Sequence, residues 1–130
     1  MADNPHSIVV IDDDPDVRAL VEVLFEVDER FDVLATVGEG RSGVDVVRRL
    51  QPDAVVVDLE LPDMDGMAVI ADIRAVLPEA RIVVFSAFAD PLTLFDALRS
   101  GADGYLDKGS AWAELVPIVA ELCTPSMSPT

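Results

Sequence analysis

The apolar residues of the chain change their spacing several times. Three short runs are almost entirely apolar and rich in β-branched residues, at positions 7–11, 54–57 and 81–85. A run in which apolar and polar residues alternate, 31–37, and a short run, 104–107, complete the strand candidates. Continuous apolar runs are typical of strands buried on both faces, and alternating runs of strands with one solvated face. We therefore predict five strands, with the first three runs central and the other two at the edges.

Helical spacing separates these runs, and five helices are expected in alternation with the five strands. Asp14-Pro15 and Asp90-Pro91 each provide an N-cap followed by a proline at the first helical position, and Gly101 is placed for a helix C-cap. Pro117 lies within the last helical segment, where we expect a kink. Apolar residues recur at helical spacing in four segments: Val17, Leu20, Val21 and Leu24; Met67, Ile70, Ile73 and Leu77; Leu94 and Leu98; and Trp112, Leu115, Val116 and Val119.

Strict alternation of strands and helices predicts an α/β fold in which helices cover both faces of a parallel sheet. With the continuous runs in the centre, the predicted architecture is a doubly wound, five-stranded parallel sheet in the order 2-1-3-4-5, the flavodoxin-like order. We expect a single domain over residues 7–123. Residues 1–6 then form an N-terminal tail, and 124–130 form a C-terminal tail or the start of a linker.

Charge and cysteine content restrict the partners of this 130-residue chain. It has 25 acidic and 9 basic side chains, for a net charge of −16. Such a balance repels phosphate backbones and anionic lipids, so we expect no direct contact with nucleic acid or membrane. The single cysteine, Cys123, excludes an internal disulfide and fits a reducing compartment. Neither a basic signal-peptide start nor an apolar run long enough to span a bilayer occurs, so we expect a cytoplasmic protein.

The polar residues that follow the strands suggest a site. In open α/β sheets, functional residues gather beyond the carboxyl ends of the strands, near the point where the strand order reverses. Three carboxylates in one pocket repel one another without a cation, and their hard oxygen atoms suit Mg²⁺. A hydroxyl and an ammonium group facing them suit an incoming phosphoryl group, with a carboxylate as nucleophile. The strand ends supply Asp12 and Asp13 (first strand), Asp58 (third), Ser86 (fourth), and Tyr105 and Lys108 (fifth).

Four motifs, IVVIDDDP, VVVDLELPDMDG, VVFSA and GADGYLDK, occur in this order. Together they resemble the receiver domain of bacterial two-component response regulators, the CheY-like family, over roughly residues 7–123. A single DD or DG pair is common, whereas four motifs in register are specific. The segment ALRSGADGYLDKGS is most similar to the NarL/FixJ subgroup, whose receivers precede a LuxR-type helix-turn-helix domain.

The resemblance implies a metal site and a phosphoacceptor. Asp58 would accept the phosphoryl group and also bind Mg²⁺. Asp13 would bind the metal directly and Asp12 through water. The backbone carbonyl of Glu60 would be a further metal ligand.

The resemblance also implies a switch and its partners. Ser86 and Lys108 would contact the phosphoryl oxygens, and Tyr105 would change rotamer on activation. The donor would be the phosphohistidine of a sensor histidine kinase, and the output would be homodimerisation or transcription control through a DNA-binding effector domain beyond this chain. The chain would be no enzyme apart from its self-catalysed phosphorylation and dephosphorylation.

Several neighbouring residues have simpler expected roles. We expect Asp14 to be a helix N-cap, and Asp63 and Asp65 to serve as turn and cap residues before a helix. Gly109 stands where many receivers have proline, so the loop after the fifth strand is expected to be less rigid. Glu60 and Phe88 would flank the path of water to a phosphorylated Asp58, and the apolar Phe88 predicts a long-lived phosphate.

Three alternatives use similar residues. A hydrolase of the haloacid-dehalogenase type also has an aspartate nucleophile and Mg²⁺, but it expects D-x-D after the first strand, and the nearest match is Asp58-Leu59-Glu60 after the third. A flavin carrier needs a loop rich in glycine and hydroxyl groups where this chain has Asp12 to Asp14, whose charge would repel phosphate. A receiver-like adaptor that is never phosphorylated is disfavoured because every expected pocket residue is present.

Overall fold

The computed structural model describes residues 4–87 and 90–124 and contains one five-stranded parallel sheet. Its order is β2-β1-β3-β4-β5, which confirms the predicted topology. β1 and β4 are each one residue longer than predicted, and the remaining strands have the predicted bounds. The strands are β1 (His6–Ile11), β2 (Phe31–Val37), β3 (Ala54–Val57), β4 (Arg81–Ser86) and β5 (Gly104–Asp107).

The burial of the strands follows their apolar patterns. All four residues of β3 are buried, as are the last four of β1 and the last five of β4. The edge strands β2 and β5 are only partly buried. The predicted division into central and edge strands is therefore confirmed.

The described residues form five α-helices and one short 3₁₀ turn: four helices connect the strands, and the turn and the fifth helix follow β5. Asp14 and Asp90 are N-caps, as predicted: the Asp14 carboxylate accepts hydrogen bonds from the Asp16 and Val17 N–H groups, and that of Asp90 from Thr93 N–H. Gly101 ends a helix with φ of +124°, a conformation that a residue with a side chain rarely adopts. The helices are α1 (Pro15–Glu26), α2 (Gly40–Leu50), α3 (Gly66–Val76), α4 (Pro91–Ser100) and α5 (Leu115–Cys123).

The structure corrects the prediction for Pro117. A 3₁₀ turn, Trp112–Glu114, precedes α5, and the α-helix itself begins at Leu115. Pro117 is thus the third residue of α5 and not an interior residue. The first N–H groups of an α-helix have no partner within the helix, so a proline here removes no helical hydrogen bond.

In two helices, some of the apolar residues at helical spacing remain exposed. In α1 the fully buried residues are Val21 and Phe25, while Leu20 is 48% exposed. In α4 only Ala97 is buried, and both Leu94 and Leu98 are exposed. Helical spacing therefore includes Leu20, Leu94 and Leu98, which lie outside the core, whereas Val17 and Val21 of α1 do pack in it. None of the helices in the described residues is long and apolar enough to cross a membrane.

Candidate functional site

Two buried carboxylates lie side by side where β1 and β3 end. Ile11 and Val57 are register partners in these parallel strands, so the next residues, Asp12 and Asp58, leave the sheet together. Asp58 N–H donates to the Ile11 carbonyl at 2.9 Å. Asp12 and Asp58 are each only 3% exposed, while Asp13 is exposed at the rim. Carboxylate oxygens of all three lie within 4.8 Å of one another, so the structure brings together the three predicted acids.

Lys108 reaches into this cluster from the residue after β5. Its Nζ lies 2.7 Å from Asp12 Oδ2 and 2.9 Å from Asp58 Oδ2. Its backbone N–H donates to the Ser86 carbonyl at 2.9 Å, which ties the end of β5 to the end of β4. Burial by itself lowers the pKa of an ammonium group, but the hydrogen bonds to Asp12 and Asp58 outweigh it and raise the pKa of Lys108. Lys108 therefore stays charged at neutral pH.

The carboxylates carry more negative charge than Lys108 neutralises. Burial raises the pKa of Asp12 above its ordinary value, although hydrogen bonds from Lys108 and from the Asp14 N–H partly oppose this. Asp13 forms no ion pair within the described residues, so three carboxylates face one ammonium group. The set of closely spaced carboxylate oxygens, one of them at the solvent-facing rim, fits the hard oxygen ligands that Mg²⁺ prefers. The donor chemistry thus fits the predicted metal.

The loop between β3 and α3 folds back beside Asp58. Glu60 N–H donates to Asp58 Oδ1 at 3.2 Å, and Glu60 forms an isolated antiparallel bridge with Asp65. Asp65 is the N-cap of α3, accepting from Met67 N–H, as predicted. Gly66 begins the helix so close to the Leu59 backbone that a Cβ there would lie 2.5 Å from the Leu59 Cα. Glu60 is therefore at the site, and metal binding by its carbonyl stays a prediction.

Ser86 and Tyr105 lie next to the acids at the end of the neighbouring strands. Ser86 is fully buried as the last residue of β4 and is adjacent to β5. The Tyr105 hydroxyl is buried too, and within the described residues it has no hydrogen bond of good geometry. Burial raises the pKa of Tyr105, and the nearby Ser86 hydroxyl offsets part of this. The phenol hydroxyl therefore faces the protein interior. Phe88 lies outside the described residues, so its predicted effect on phosphate lifetime stays a prediction.

Two contacts near the site were not foreseen from the sequence. Arg18 of α1 donates from Nη1 to the Asp12 carbonyl at 2.7 Å, and its guanidinium fills the space beside Gly38. In the loop after β5, Asp107 Oδ1 accepts from Gly109 N–H at 2.9 Å, which constrains a loop that was expected to be less rigid. Sequence spacing does not reveal the Arg18 contact, because it depends on the direction of a long side chain, whereas an Asp followed two residues later by Gly is a pattern typical of a local turn.

Residues 8–120 match the family model for the response regulator receiver domain. The chain belongs to this family. The receiver is 35% identical over 104 residues to the nitrate/nitrite response regulator NarL of Escherichia coli K12, covering 80% of this chain and 48% of that protein. It is also 35% identical over 103 residues to a protein-glutamate methylesterase/protein-glutamine glutaminase of Nocardioides, covering 78% of this chain and 28% of the enzyme. The receiver thus spans about half, or less, of these curated relatives.

Solved structures agree with this assignment. The signal receiver domain of the response regulator NarL from Mycobacterium tuberculosis superposes with a TM-score of 0.87 at 30% identity, covering 93% of this chain and 98% of that one. A LuxR-family response regulator from Aurantimonas gives 0.85 at 34% identity, with coverages of 97% and 91%. At 20% identity, the response regulator domain of Thermotoga maritima CheB shares the fold, with a TM-score of 0.87. The predicted receiver family and its NarL/LuxR type are confirmed.

Proposed function

We propose that this receiver accepts a phosphoryl group on Asp58 from the phosphohistidine of a sensor histidine kinase. Asp12, Asp13, Asp58 and the backbone carbonyl of Glu60 would hold Mg²⁺, with Asp12 acting through water. The observation that carries the proposal is the cluster itself: three carboxylates within 4.8 Å of one another, two of them hydrogen-bonded to Lys108 Nζ. A purely structural role would not require so many acids for one cation.

The existing contacts of Asp58 suggest how the transfer proceeds. An Asp58 oxygen attacks phosphorus as the bond from phosphorus to the donor nitrogen breaks, and the imidazole leaves with the bond's electron pair. Lys108, now 2.9 Å from Asp58 Oδ2, transfers its hydrogen bond to a phosphoryl oxygen. Ser86, at the end of the adjacent strand, donates to another. When bound, Mg²⁺ neutralises charge on the phosphoryl oxygens.

Acetyl phosphate tests the assignment without the kinase. Intact-mass spectrometry should show one added phosphoryl group on the wild-type protein with Mg²⁺, and none on Asp58→Asn. Asp53→Asn is the matched control, because Asp53 precedes β3 at the opposite end of the sheet, where its carboxylate accepts hydrogen bonds from the N–H and hydroxyl groups of Ser7. Labelling that persists in Asp58→Asn, or after chelation of divalent metal, rules out the proposed acceptor site.

The output belongs to the same proposal. Phosphorylation would shift Ser86 and Tyr105 and reshape the face formed by α4, β5 and α5, favouring a homodimer. Support comes from the apolar surface of α4, where Leu92 is 69% and Phe95 56% exposed. A beryllofluoride mimic should shift amide signals around residues 86–108 and raise the sedimentation coefficient. If neither changes, this switch is absent.

The remaining assignments rest on the relatives. Transcription control through a DNA-binding effector domain outside this chain is supported by the likeness to NarL and to a LuxR-family regulator. We assign no separate enzymatic activity to the receiver itself, because the methylesterase relative is more than three times as long as the matched part. A cytoplasmic location is part of the proposal and is supported by the single cysteine, which suits a reducing compartment.

A further inference from the structure

Asp63, in the loop between β3 and α3, caps a helix other than the one that follows it. Its Oδ1 accepts from Gly40 N–H at 2.7 Å, and its Oδ2 from Arg41 N–H at 2.9 Å. Both donors are in the first turn of α2, 22 and 23 residues earlier in the chain. The hydrogen bonds from Arg41 and Gly40 hold the pKa of Asp63 below its usual range, so it is ionised at neutral pH.

Helix α2 has no side-chain cap of its own at this end. Its N-cap residue, Glu39, makes no capping hydrogen bond with its side chain. The first N–H groups of a helix have no partner within the helix and favour a negative charge nearby. A carboxylate from a distant loop supplies both requirements here, so the contact joins α2 firmly to the 59–65 loop.

Packing around Gly40 reinforces the same junction. A Cβ on Gly40 would lie 2.8 Å from Val69 Cγ2 and 3.0 Å from Met64 Cβ, so the helix approaches the loop and α3 without an intervening side chain. In the same loop, Glu60 pairs with Asp65 and donates its N–H to Asp58. The 59–65 loop is therefore fixed at two places: the Asp63 carboxylate binds the start of α2, and the Glu60 N–H binds the Asp58 carboxylate.

We infer that Asp63 is a positioning residue for the metal site: by capping α2 it holds the loop that presents the Glu60 carbonyl beside Asp58. The inference rests on the proposed function of that site and adds a residue outside the metal and phosphoryl contacts. Since Mg²⁺ tolerates little deviation from octahedral geometry, a loop released from α2 binds it less well. The maximal rate of phosphoryl transfer should change less than the affinity for Mg²⁺, because Asp63 does not contact the reacting groups.

The test uses the full chain and measures two Mg²⁺ concentrations. The first is the concentration at the midpoint of a Mg²⁺ titration monitored by amide chemical shifts. The second is the concentration that gives half-maximal labelling by acetyl phosphate. Asp63→Leu removes both acceptor oxygens and should raise both concentrations about tenfold, the lower end of the range for outer partners of metal ligands. Asp63→Asn keeps a capping oxygen and should restore most of the affinity.

Three further variants separate a positioning role from an effect on general stability. Asp53→Leu removes a carboxylate that also accepts a distant backbone N–H, that of Ser7 at 2.8 Å, and should leave Mg²⁺ affinity unchanged. Arg41→Pro removes one donor at a position where a helix tolerates proline, and should weaken Mg²⁺ binding even if Asp63→Leu does not fold. Arg41→Ala controls for the lost charge.

The results distinguish this inference from the function on which it rests. If the wild-type protein neither binds Mg²⁺ nor accepts a phosphoryl group, the proposed function is wrong. If the wild type does both while Asp63→Leu, or Arg41→Pro in its place, has wild-type Mg²⁺ affinity, the positioning role is wrong. An Asp53→Leu variant that loses as much affinity as Asp63→Leu also overturns it.

Discussion

The two ends of the sheet use acidic residues in opposite ways. At the carboxyl end, three carboxylates lie close together and the ammonium group of Lys108 pairs with two of them, Asp12 and Asp58. At the amino end, Asp53 and Asp103 both have fixed donors: Asp53 accepts from Ser7, and Asp103 accepts from Arg74 and from Ile82 N–H. The acids at the amino end are thus satisfied within the fold, whereas the excess of acid at the carboxyl end supports the proposed Mg²⁺ site.

At the amino end, the guanidinium group of Arg74 connects several segments of the chain. Arg74 donates to the carbonyls of Gly101, Pro78 and Ala80 and to the Asp103 carboxylate. These contacts join the end of α3 to the turns before β4 and β5. The charges at this end largely balance one another. Removing Arg74 should therefore change the free energy of unfolding and not the phosphorylation of the receiver.

The largest expected effect comes from removing this guanidinium. Arg74→Met leaves several carbonyls and Asp103 without their donor, and should lower the free energy of unfolding by about 2–4 kcal/mol. Urea denaturation measures it. Labelling by acetyl phosphate should persist under conditions where the variant is folded. Arg99→Met is the control, because the Arg99 guanidinium stacks on the exposed Phe95 ring at 5.6 Å. Equal losses in the two variants would contradict the structural role of Arg74.

A smaller effect of opposite sign is expected at the carboxyl end. Asp13→Asn removes one of three repelling charges and should raise the metal-free stability by about 1 kcal/mol, the strength of one such repulsion near water. The same substitution should abolish Mg²⁺ binding, which is measured by the change of amide chemical shifts during a Mg²⁺ titration. Asp14→Asn keeps the N-cap of α1 and should retain Mg²⁺ binding. Equal loss of Mg²⁺ affinity in both variants would mean that the β1–α1 loop is assigned wrongly.

The smallest expected effect is the change in stability at low pH that comes from the pair of Asp28 and Arg30. The hydrogen bonds from Arg30 lower the pKa of Asp28, before β2, to about 2. Because this pKa is lowered on folding, the pair stabilises the protein above the ordinary value of 3.8 and loses that contribution as the pH falls towards 2. Asp28→Asn should cost at most about 1 kcal/mol near neutral pH, since the Arg30 side chain is 58% exposed.

Asp12 should show the opposite sign in the same experiment. Its pKa is raised by burial, so its contribution favours folding when it is protonated and is lost as the pH rises through the raised value. Stability curves of Asp28→Asn and Asp12→Asn against pH should therefore diverge from wild type in opposite directions. Curves that run parallel would remove the contrast between the two ends.

Much of the fold could be predicted because it depends on one-dimensional spacing. Uninterrupted apolar runs identified the central strands, and the residues after them, such as Asp12 and Asp58, follow from the rule that parallel strands end together. The face of α4 could not be predicted in this way, because Leu94 and Leu98 have helical spacing but lie outside the core. Periodicity identifies an apolar stripe without saying what covers it.

The sequence predicted which residues form the site but not which hydrogen bonds they make. Lys108 was expected to face a phosphoryl group, and the structure adds that its Nζ bridges the carboxylates of Asp12 and Asp58. Asp63 was expected to serve a turn or cap before α3, yet it caps α2. Contacts between residues far apart in sequence depend on loop geometry, which local propensity does not contain.

The proposed function requires that the three carboxylates at the carboxyl end bind a divalent cation. Its most direct measurement is the free energy of unfolding as a function of Mg²⁺ concentration, because a ligand that binds only the folded state stabilises it. We expect the stability of the wild type and of Asp53→Asn to rise together with Mg²⁺, while that of Asp13→Asn stays level. A wild-type free energy of unfolding that does not change with Mg²⁺ concentration, or an equal rise in all three proteins, would contradict the proposed metal site.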